Sequence, residues 1–283
     1  MVGPFGMSSN RGGPQAVNLC RPDDSKSCAS CCGLYNVSDG TRATLYSRLD
    51  SRTRLFEQVE RTPEAIDGFR SLIEHSETFV PLDEAIHVCE FIGFVDTDHR
   101  LVGCMLHPCA AGNGNVDLRG LCYYGSLACR SFFCPSSEEL PGPYSRAVIR
   151  AMDDWHLYGL VATDLDFVFS LFAIIEEIMG HEIDPSFLDR NQPRGLFARM
   201  LRWKDSWPSI GSSAVRRSRY YLKRSSSHAD KNLTTNTARI LECLKFTFDV
   251  RKHPTGSEAF ILSSVTEFVA AYHECERRLE ERS

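Results

Sequence analysis

The sequence has no long hydrophobic run and no segment typical of a targeting signal. Its longest nearly apolar stretch is FVFSLFAII, residues 167–175, well short of the ~20 residues that a membrane-spanning helix needs. The first nineteen residues are rich in Gly, Pro, Ser and Asn and lack the apolar core of a signal peptide. We therefore expect a cytoplasmic protein without a membrane partner, whose residues 1–19 form a flexible tail.

The sequence also lacks a strong net charge and the common catalytic signatures. The net charge is −5 and the isoelectric point is about 6.0, so nothing global favours nucleic acid or anionic lipid. There is no Gly-x-Ser-x-Gly elbow, Walker loop or His-Glu-x-x-His helix. The composition thus gives no reason to expect a nucleic-acid partner, identifies no protein partner and leaves open whether the chain is an enzyme.

One local stretch is basic. Residues 211–231 carry six Lys or Arg and one Asp. The simpler interpretation is a solvated loop or short basic helix. The alternative is an interaction adaptor that uses this stretch to contact an acidic partner.

Cysteine is scarce in the second half of the chain and concentrated in the first. Of twelve cysteines, only Cys243 and Cys275 follow residue 134, and we expect both to be core thiols on helices. The other ten lie between Cys20 and Cys134. In a reducing cytosol, clustered cysteines bind metal or do redox work more often than they form disulfides.

Apolar periodicity predicts a mainly α fold with a Cys-rich region packed on a C-terminal helical bundle. The Cys-rich region, residues 20–142, should contain helices, loops and a short hairpin around DTDHR, residues 96–100. Helices should dominate residues 143–283, where one helix carries Tyr144, Val148, Trp155 and Leu160. The predicted helices cover residues 42–61, 63–75, 164–180, 194–203, 233–249 and 257–282, in addition to the one through Trp155.

The Cys-rich region supplies a candidate set of metal ligands. Its motifs are CASCC, CEFIGF, GCMLHP and ACRSFFCP, and the candidate ligands are Cys28, Cys31, Cys32, Cys89, Cys104, His107, Cys129 and Cys134. Cysteine pairs a few residues apart let a turn aim two sulfurs at one soft or borderline metal. Cys20, Cys109 and Cys122 are weaker candidates because they lie outside these motifs.

The adjacent pair Cys31 and Cys32 constrains the site. Successive side chains on an extended backbone point to opposite sides, so one tetrahedral ion cannot easily take both sulfurs. Three arrangements stay open: two neighbouring metal centres, a multinuclear cluster in a turn, or one ligating thiol beside a free one. Seven cysteines and His107 make eight donors, enough for two four-coordinate centres.

The order of these motifs resembles the CxxCxxCC-type zinc- or iron-chelating domain family. The resemblance covers about residues 28–134, from CASCC to CRSFFC. The leading cysteine of the family lies just upstream of Cys28, where this chain has Asp24 and Ser25, and Cys20 is the nearest substitute. The resemblance implies a zinc or iron site, including an iron–sulfur cluster, with a structural or redox role. It also implies an alternative, a metal-dependent modifying enzyme with protein-methylation-like chemistry.

Overall fold

The chain is mainly helical, as the sequence predicts. The computed structural model describes residues 18–207, 236–248 and 253–281. Within these ranges the helices are α1 Arg42–Glu57, α2 Pro63–Ser76, α3 Gly125–Ser131, α4 Pro135–Glu139, α5 Gly142–Ala151, α6 Trp155–Ala162, α7 Leu165–Met179, α8 Asn191–Leu201, α9 Trp203–Ser206, α10 Asn236–Phe246 and α11 Ser257–Glu280. Most of the predicted tail and all of the basic stretch 211–231 lie outside the described residues.

The predicted hairpin is confirmed. Its two strands are β1 Ile92–Phe94 and β2 Val102–Cys104, which pair antiparallel with Ile92 opposite Cys104. The Asp96 carboxylate accepts hydrogen bonds from the amides at the end of the turn, including that of Leu101 at 2.7 Å. The hairpin places Cys104 at the end of a strand, facing the rest of the Cys-rich region.

The single helix predicted through Tyr144 and Leu160 is wrong, because the chain forms two helices there. α5 ends at Ala151, and Met152 is extended. Asp154 then begins α6 by accepting a hydrogen bond from the amide of Leu157 at 3.0 Å. Asp is a strong N-cap residue, so it starts a new helix here although the apolar spacing continues past it.

α7 is the central helix of the helical half. The Asp164 side chain accepts a hydrogen bond from the amide of Phe167 at its start, and Gly180, with φ 84°, ends it. The rest of this half consists of α5, α6, α8, α9, α10 and α11, and both α10 and α11 pack against α7. Among the described residues no single helix has the length and apolar composition to cross a bilayer. Within the same described ranges, only α6 and α7 taken together meet that test, and the chain bends by 82° between them.

α6 belongs to two hydrophobic cores. Trp155 and Leu160 pack into the core of the Cys-rich region. Leu157, Tyr158 and Val161 pack into the core of the helical half. Because one short helix serves both cores, the two predicted regions are joined by direct packing.

Two buried tyrosines reinforce this junction. The Tyr35 hydroxyl donates to the carbonyl of His156 at 2.8 Å, and the Tyr158 hydroxyl donates to the carbonyl of Leu19 at 2.8 Å. Buried polar groups need partners of this kind to offset their desolvation. The N-terminal segment that carries the first cysteines is thereby fixed to α6.

Candidate metal centres

Nine of the ten cysteines between Cys20 and Cys134 form two groups in space. The first thiol group is Cys20, Cys28, Cys31 and Cys134; the second thiol group is Cys32, Cys89, Cys104, Cys122 and Cys129. Members of the first group line one cavity, and members of the second act electrostatically on one another. The adjacent pair divides between the groups, although the sulfurs of Cys31 and Cys32 are only 4.0 Å apart.

The first thiol group surrounds a cavity between the N-terminal segment and the end of α6. Leu19, Ser30, Ala162 and Thr163 complete its lining, and its volume is ≈ 20 Å³. The amide of Cys28 donates to the carbonyl of Cys20 at 2.9 Å, which holds these two cysteines together. The cavity accommodates an occupant the size of a water molecule or a single ion.

A tight turn separates the two sulfurs of the adjacent pair. Cys31 and Cys32 lie in the 3₁₀ turn Ser30–Cys32, which ends at Gly33 with φ 82°. A Cβ atom on Gly33 would collide with the carbonyl oxygen of His87, so both the conformation and the space require glycine. The turn lets Cys31 line the cavity while Cys32 packs against the core of the Cys-rich region.

The second thiol group is built on the hairpin and on the segment that follows it. The amide of Cys89 donates to the carbonyl of Cys32 at 3.0 Å, and Cys104 ends β2. The sulfurs of Cys122 and Cys129 are 3.4 Å apart. Cys89 and Cys122 are buried, and the other three pack against the same core.

Three cysteines, one from the first thiol group and two from the second, share a local turn geometry. Backbone amides two residues further along the chain donate to the sulfurs of Cys28, Cys89 and Cys104; the donors are Ser30, Phe91 and Leu106 respectively. A hydrogen bond to a thiolate favours the charged form, which is the form that binds metal. The sequence motifs gave no direct sign of these amide contacts.

Burial opposes ionisation of most of these thiols. Desolvation raises the pKa of Cys20 and of Cys28 to about 12, and that of Cys104 to about 11. Cys31 differs, because the thiol of Cys32 donates a hydrogen bond to its sulfur and lowers its pKa. A metal ion bound here would therefore have to displace protons from several thiols, which makes binding pH-dependent.

One guanidinium lies beside the second thiol group. Arg119 donates to the carbonyl of Cys129 at 3.2 Å and opposes the rise in the pKa of Cys104 and Cys129. Its side chain forms a two-pronged ion pair with Asp117, at 2.9 and 2.7 Å. This cation offsets part of the negative charge that several thiolates would bring together.

All seven cysteines predicted as ligands fall within the two groups, and their ligand role stays a prediction. Two weaker candidates join them, Cys20 in the first group and Cys122 in the second. Cys109 is exposed and outside both groups, while Cys243 and Cys275 are half-buried on α10 and α11. The sequence pointed to Cys20 only indirectly, because it is the cysteine nearest to the position where the CxxCxxCC motif has its leading cysteine.

His107 takes part in a loop beside the second group. Its amide donates to the carbonyl of Cys104 at 3.0 Å, which closes a turn between these two residues. Its Nδ1 accepts a hydrogen bond from the amide of Cys109 at 3.1 Å. Burial and the charge of Arg119 lower its pKa. Because Nδ1 accepts this hydrogen bond, Nε2 carries the proton of the neutral ring and neither nitrogen offers a free lone pair. We therefore leave His107 out of the ligand sets proposed below.

The sulfurs within each group are spread more widely than in a closed mononuclear site. Over residues 18–207, 236–248 and 253–281, no three cysteine sulfurs lie within 4.8 Å of one another. Four thiolates at ~2.3 Å from one zinc ion are about 3.8 Å apart. A single ion in either group would require its side chains to move closer together, whereas a multinuclear cluster would hold its thiolates further apart.

Comparisons of the chain with protein-family models, with curated proteins and with solved structures found no match. The resemblance to the CxxCxxCC family therefore stays a prediction from the motifs, and functional inference depends on the geometry of the thiol groups.

Proposed function

We propose that this chain binds metal through two neighbouring thiolate centres, one at each thiol group. Cys31 serves the first centre and Cys32 serves the second. The observation behind the proposal is that Cys31 lines the cavity of the first group, whereas Cys32, its neighbour in the chain, lies beside Cys89 and Cys104 of the second group. Of the three arrangements that the sequence left open, two centres account best for this division.

The donor sets suit zinc or iron. The first group offers four thiols, which fill a tetrahedral zinc site or anchor one iron–sulfur cluster. The second group offers five, one more than a four-coordinate centre needs. Both groups are all-sulfur, so soft or borderline metals are favoured over magnesium or calcium.

A structural or redox role follows from what the centres would connect. Metal in the first group would join the N-terminal segment to Cys134, beside the end of α6. Metal in the second group would join Cys32, the hairpin and the segment around α3. Residues 104–134 form turns and short helices, so metal binding energy would contribute directly to their folding.

The alternative is a metal-dependent modifying enzyme, with methylation-like chemistry implied only by the family resemblance. It requires an open coordination position beside a substrate pocket. The cavity at the first thiol group is ≈ 20 Å³, whereas ligand pockets start at roughly 300 Å³. The other alternative, an adaptor acting through residues 211–231, concerns a stretch outside the described residues.

Metal analysis of anaerobically purified protein tests the proposal. Elemental analysis by mass spectrometry should find zinc or iron in an amount sufficient for both groups, and iron–sulfur clusters would add broad visible absorption. Cys109→Ser is the matched control and should keep the full metal content, because this exposed cysteine lies between Cys104 and Cys122 in the chain but belongs to neither group. Folded, colourless, metal-free protein would contradict the proposal.

A further inference from the structure

A different set of metal donors lies on the helical half, and it uses none of the cysteines of the two thiol groups. His181, His273 and Glu276 place their donor atoms within 4.8 Å of one another. We propose that these three side chains bind one borderline divalent cation, of the zinc, cobalt or nickel type. This inference goes beyond the proposed thiolate centres and does not depend on them.

The donor atoms converge around one carboxylate. Nδ1 of His273 is 2.7 Å from Oε2 of Glu276, and Nε2 of His181 is 3.6 Å from Oε1 of the same group. Zinc binds nitrogen and carboxylate oxygen at about 2.0–2.2 Å. A cation between the two imidazoles and the carboxylate therefore needs only small side-chain rotations to reach bonding distance.

The local structure holds the His181 ring in the correct form for ligation. Its Nδ1 is 3.0 Å from the carbonyl oxygen of Glu182. A carbonyl can only accept, so Nδ1 carries a proton, and in the neutral ring Nε2 keeps its lone pair on the side of Glu276. A hydrogen bond from the second ring nitrogen is the usual way in which proteins orient a metal-binding histidine.

The backbone that carries these donors is also fixed. His273 and Glu276 are one helical turn apart on α11, so they share a face. The loop with His181 follows Gly180 directly, and the amide of Asp184 donates to the Tyr272 hydroxyl at 2.8 Å. The loop after α7 and the donor face of α11 are thus already joined before any cation binds.

The chemistry of the set favours a borderline dication. Two neutral imidazoles and one carboxylate carry a charge of −1, which attracts a divalent ion. Imidazole nitrogen suits zinc, cobalt and nickel, whereas magnesium and calcium prefer all-oxygen sites. The three side chains are partly exposed, so water can complete the coordination.

Cobalt titration of the full chain tests this site separately from the thiolate centres. Protein is loaded with zinc at its thiol groups, freed of excess and weakly bound zinc with a mild chelator, and then titrated with Co²⁺ under anaerobic conditions. Cobalt on nitrogen and oxygen donors gives weak visible bands, while cobalt on thiolate adds strong near-ultraviolet charge-transfer absorption. We expect one further equivalent of Co²⁺ that gives the weak bands without new charge-transfer absorption.

Two conservative variants and one control decide the outcome. Glu276→Gln and His273→Asn retain hydrogen-bonding side chains but remove a ligand, so each should weaken this cobalt binding by at least about 10-fold. His75→Asn, at an exposed histidine on α2, should leave it unchanged. Absence of the further equivalent, or an equivalent that both variants bind as tightly as wild type, would overturn the proposal. Neither result bears on metal bound by the cysteines.

Discussion

Cys31 and Cys32 are adjacent in the chain and their sulfurs are 4.0 Å apart, yet each belongs to a different group of thiols. Cys31 lines the cavity shared with Cys20, Cys28 and Cys134. The pKa of the Cys32 thiol is raised by its contact with Cys31, by burial and by the nearby thiols of Cys89 and Cys104. A division of this kind lets neighbouring residues hold two centres close together.

Single substitutions of the adjacent cysteines should remove different metal. Cys31→Ser should lower the metal content of the first centre and Cys32→Ser that of the second, because a serine hydroxyl is a poor ligand for soft metals. The double variant should lose the sum of both amounts. Elemental analysis of anaerobically purified variants measures this. Complete metal loss in either single variant would indicate one shared centre.

The thiol of Cys31 should be the more reactive of two exposed cysteines in metal-free protein. Its pKa is lowered by a hydrogen bond from Cys32, whereas desolvation raises the pKa of Cys20 to about 12. The thiolate is the nucleophile, so iodoacetamide at neutral pH should modify Cys31 first. Peptide mass spectrometry over time measures both rates.

A variant of Cys32 tests whether its hydrogen bond is the cause of the reactivity of Cys31. Cys32→Ala removes the hydrogen-bond donor and should slow the alkylation of Cys31. Equal rates at Cys31 and Cys20 in the unmodified chain would show that the hydrogen bond has no such effect.

Removal of metal should make Cys122 and Cys129 the first pair to form a disulfide under mild oxidation. Their sulfurs are already 3.4 Å apart. Disulfide formation proceeds through a thiolate, and the pKa of Cys129 is raised to about 12, so the reaction should be faster at pH 9 than at pH 7. Non-reducing peptide mapping after chelation and diamide treatment identifies the pair.

Metal-loaded protein is the comparison for this oxidation. Metal that occupies the second centre should protect both thiols. Early appearance of another disulfide, or oxidation at the same rate with metal bound, would contradict a ligand role for this pair.

The Tyr35 hydroxyl should contribute measurably to stability at the junction of the two cores. Tyr35→Phe removes the donor to the carbonyl of His156, leaving a buried acceptor without this partner. The free energy of unfolding should fall by about 1–2 kcal/mol. Tyr46→Phe, at a partly exposed tyrosine, is the control and should change it by less than about 0.5 kcal/mol. Equal effects in denaturant titrations would argue against a special role for Tyr35.

Local signals allowed much of the helical half to be predicted. α7 follows from its apolar run, the acidic cap Asp164 and the closing Gly180, all within one short stretch of sequence. The break between α5 and α6 was missed because apolar residues continue at helical spacing on both sides of Asp154. An Asp inside an apolar pattern can cap a new helix or lie within a continuous one, and only the backbone conformation around it shows which.

The thiol groups could be predicted only in part. Motif spacing identified the seven predicted cysteines but underrated Cys20 and Cys122, which lie outside the motifs. Cys20 reaches the first group through its backbone hydrogen bond with Cys28, and Cys122 reaches the second through its contact with Cys129. Neither contact has a distinctive residue pattern.

The sequence by itself determined most of the longer helices, the short hairpin and the concentration of thiols between Cys20 and Cys134, because these depend on residue type and local spacing. Only the tertiary structure decided which thiols meet. Cys31 and Cys134 are distant in the chain, and Cys31 and Cys32 are adjacent, yet the distant pair shares a cavity and the adjacent pair divides. The packing of two cores on either side of α6 produces that arrangement, and no local spacing specifies it.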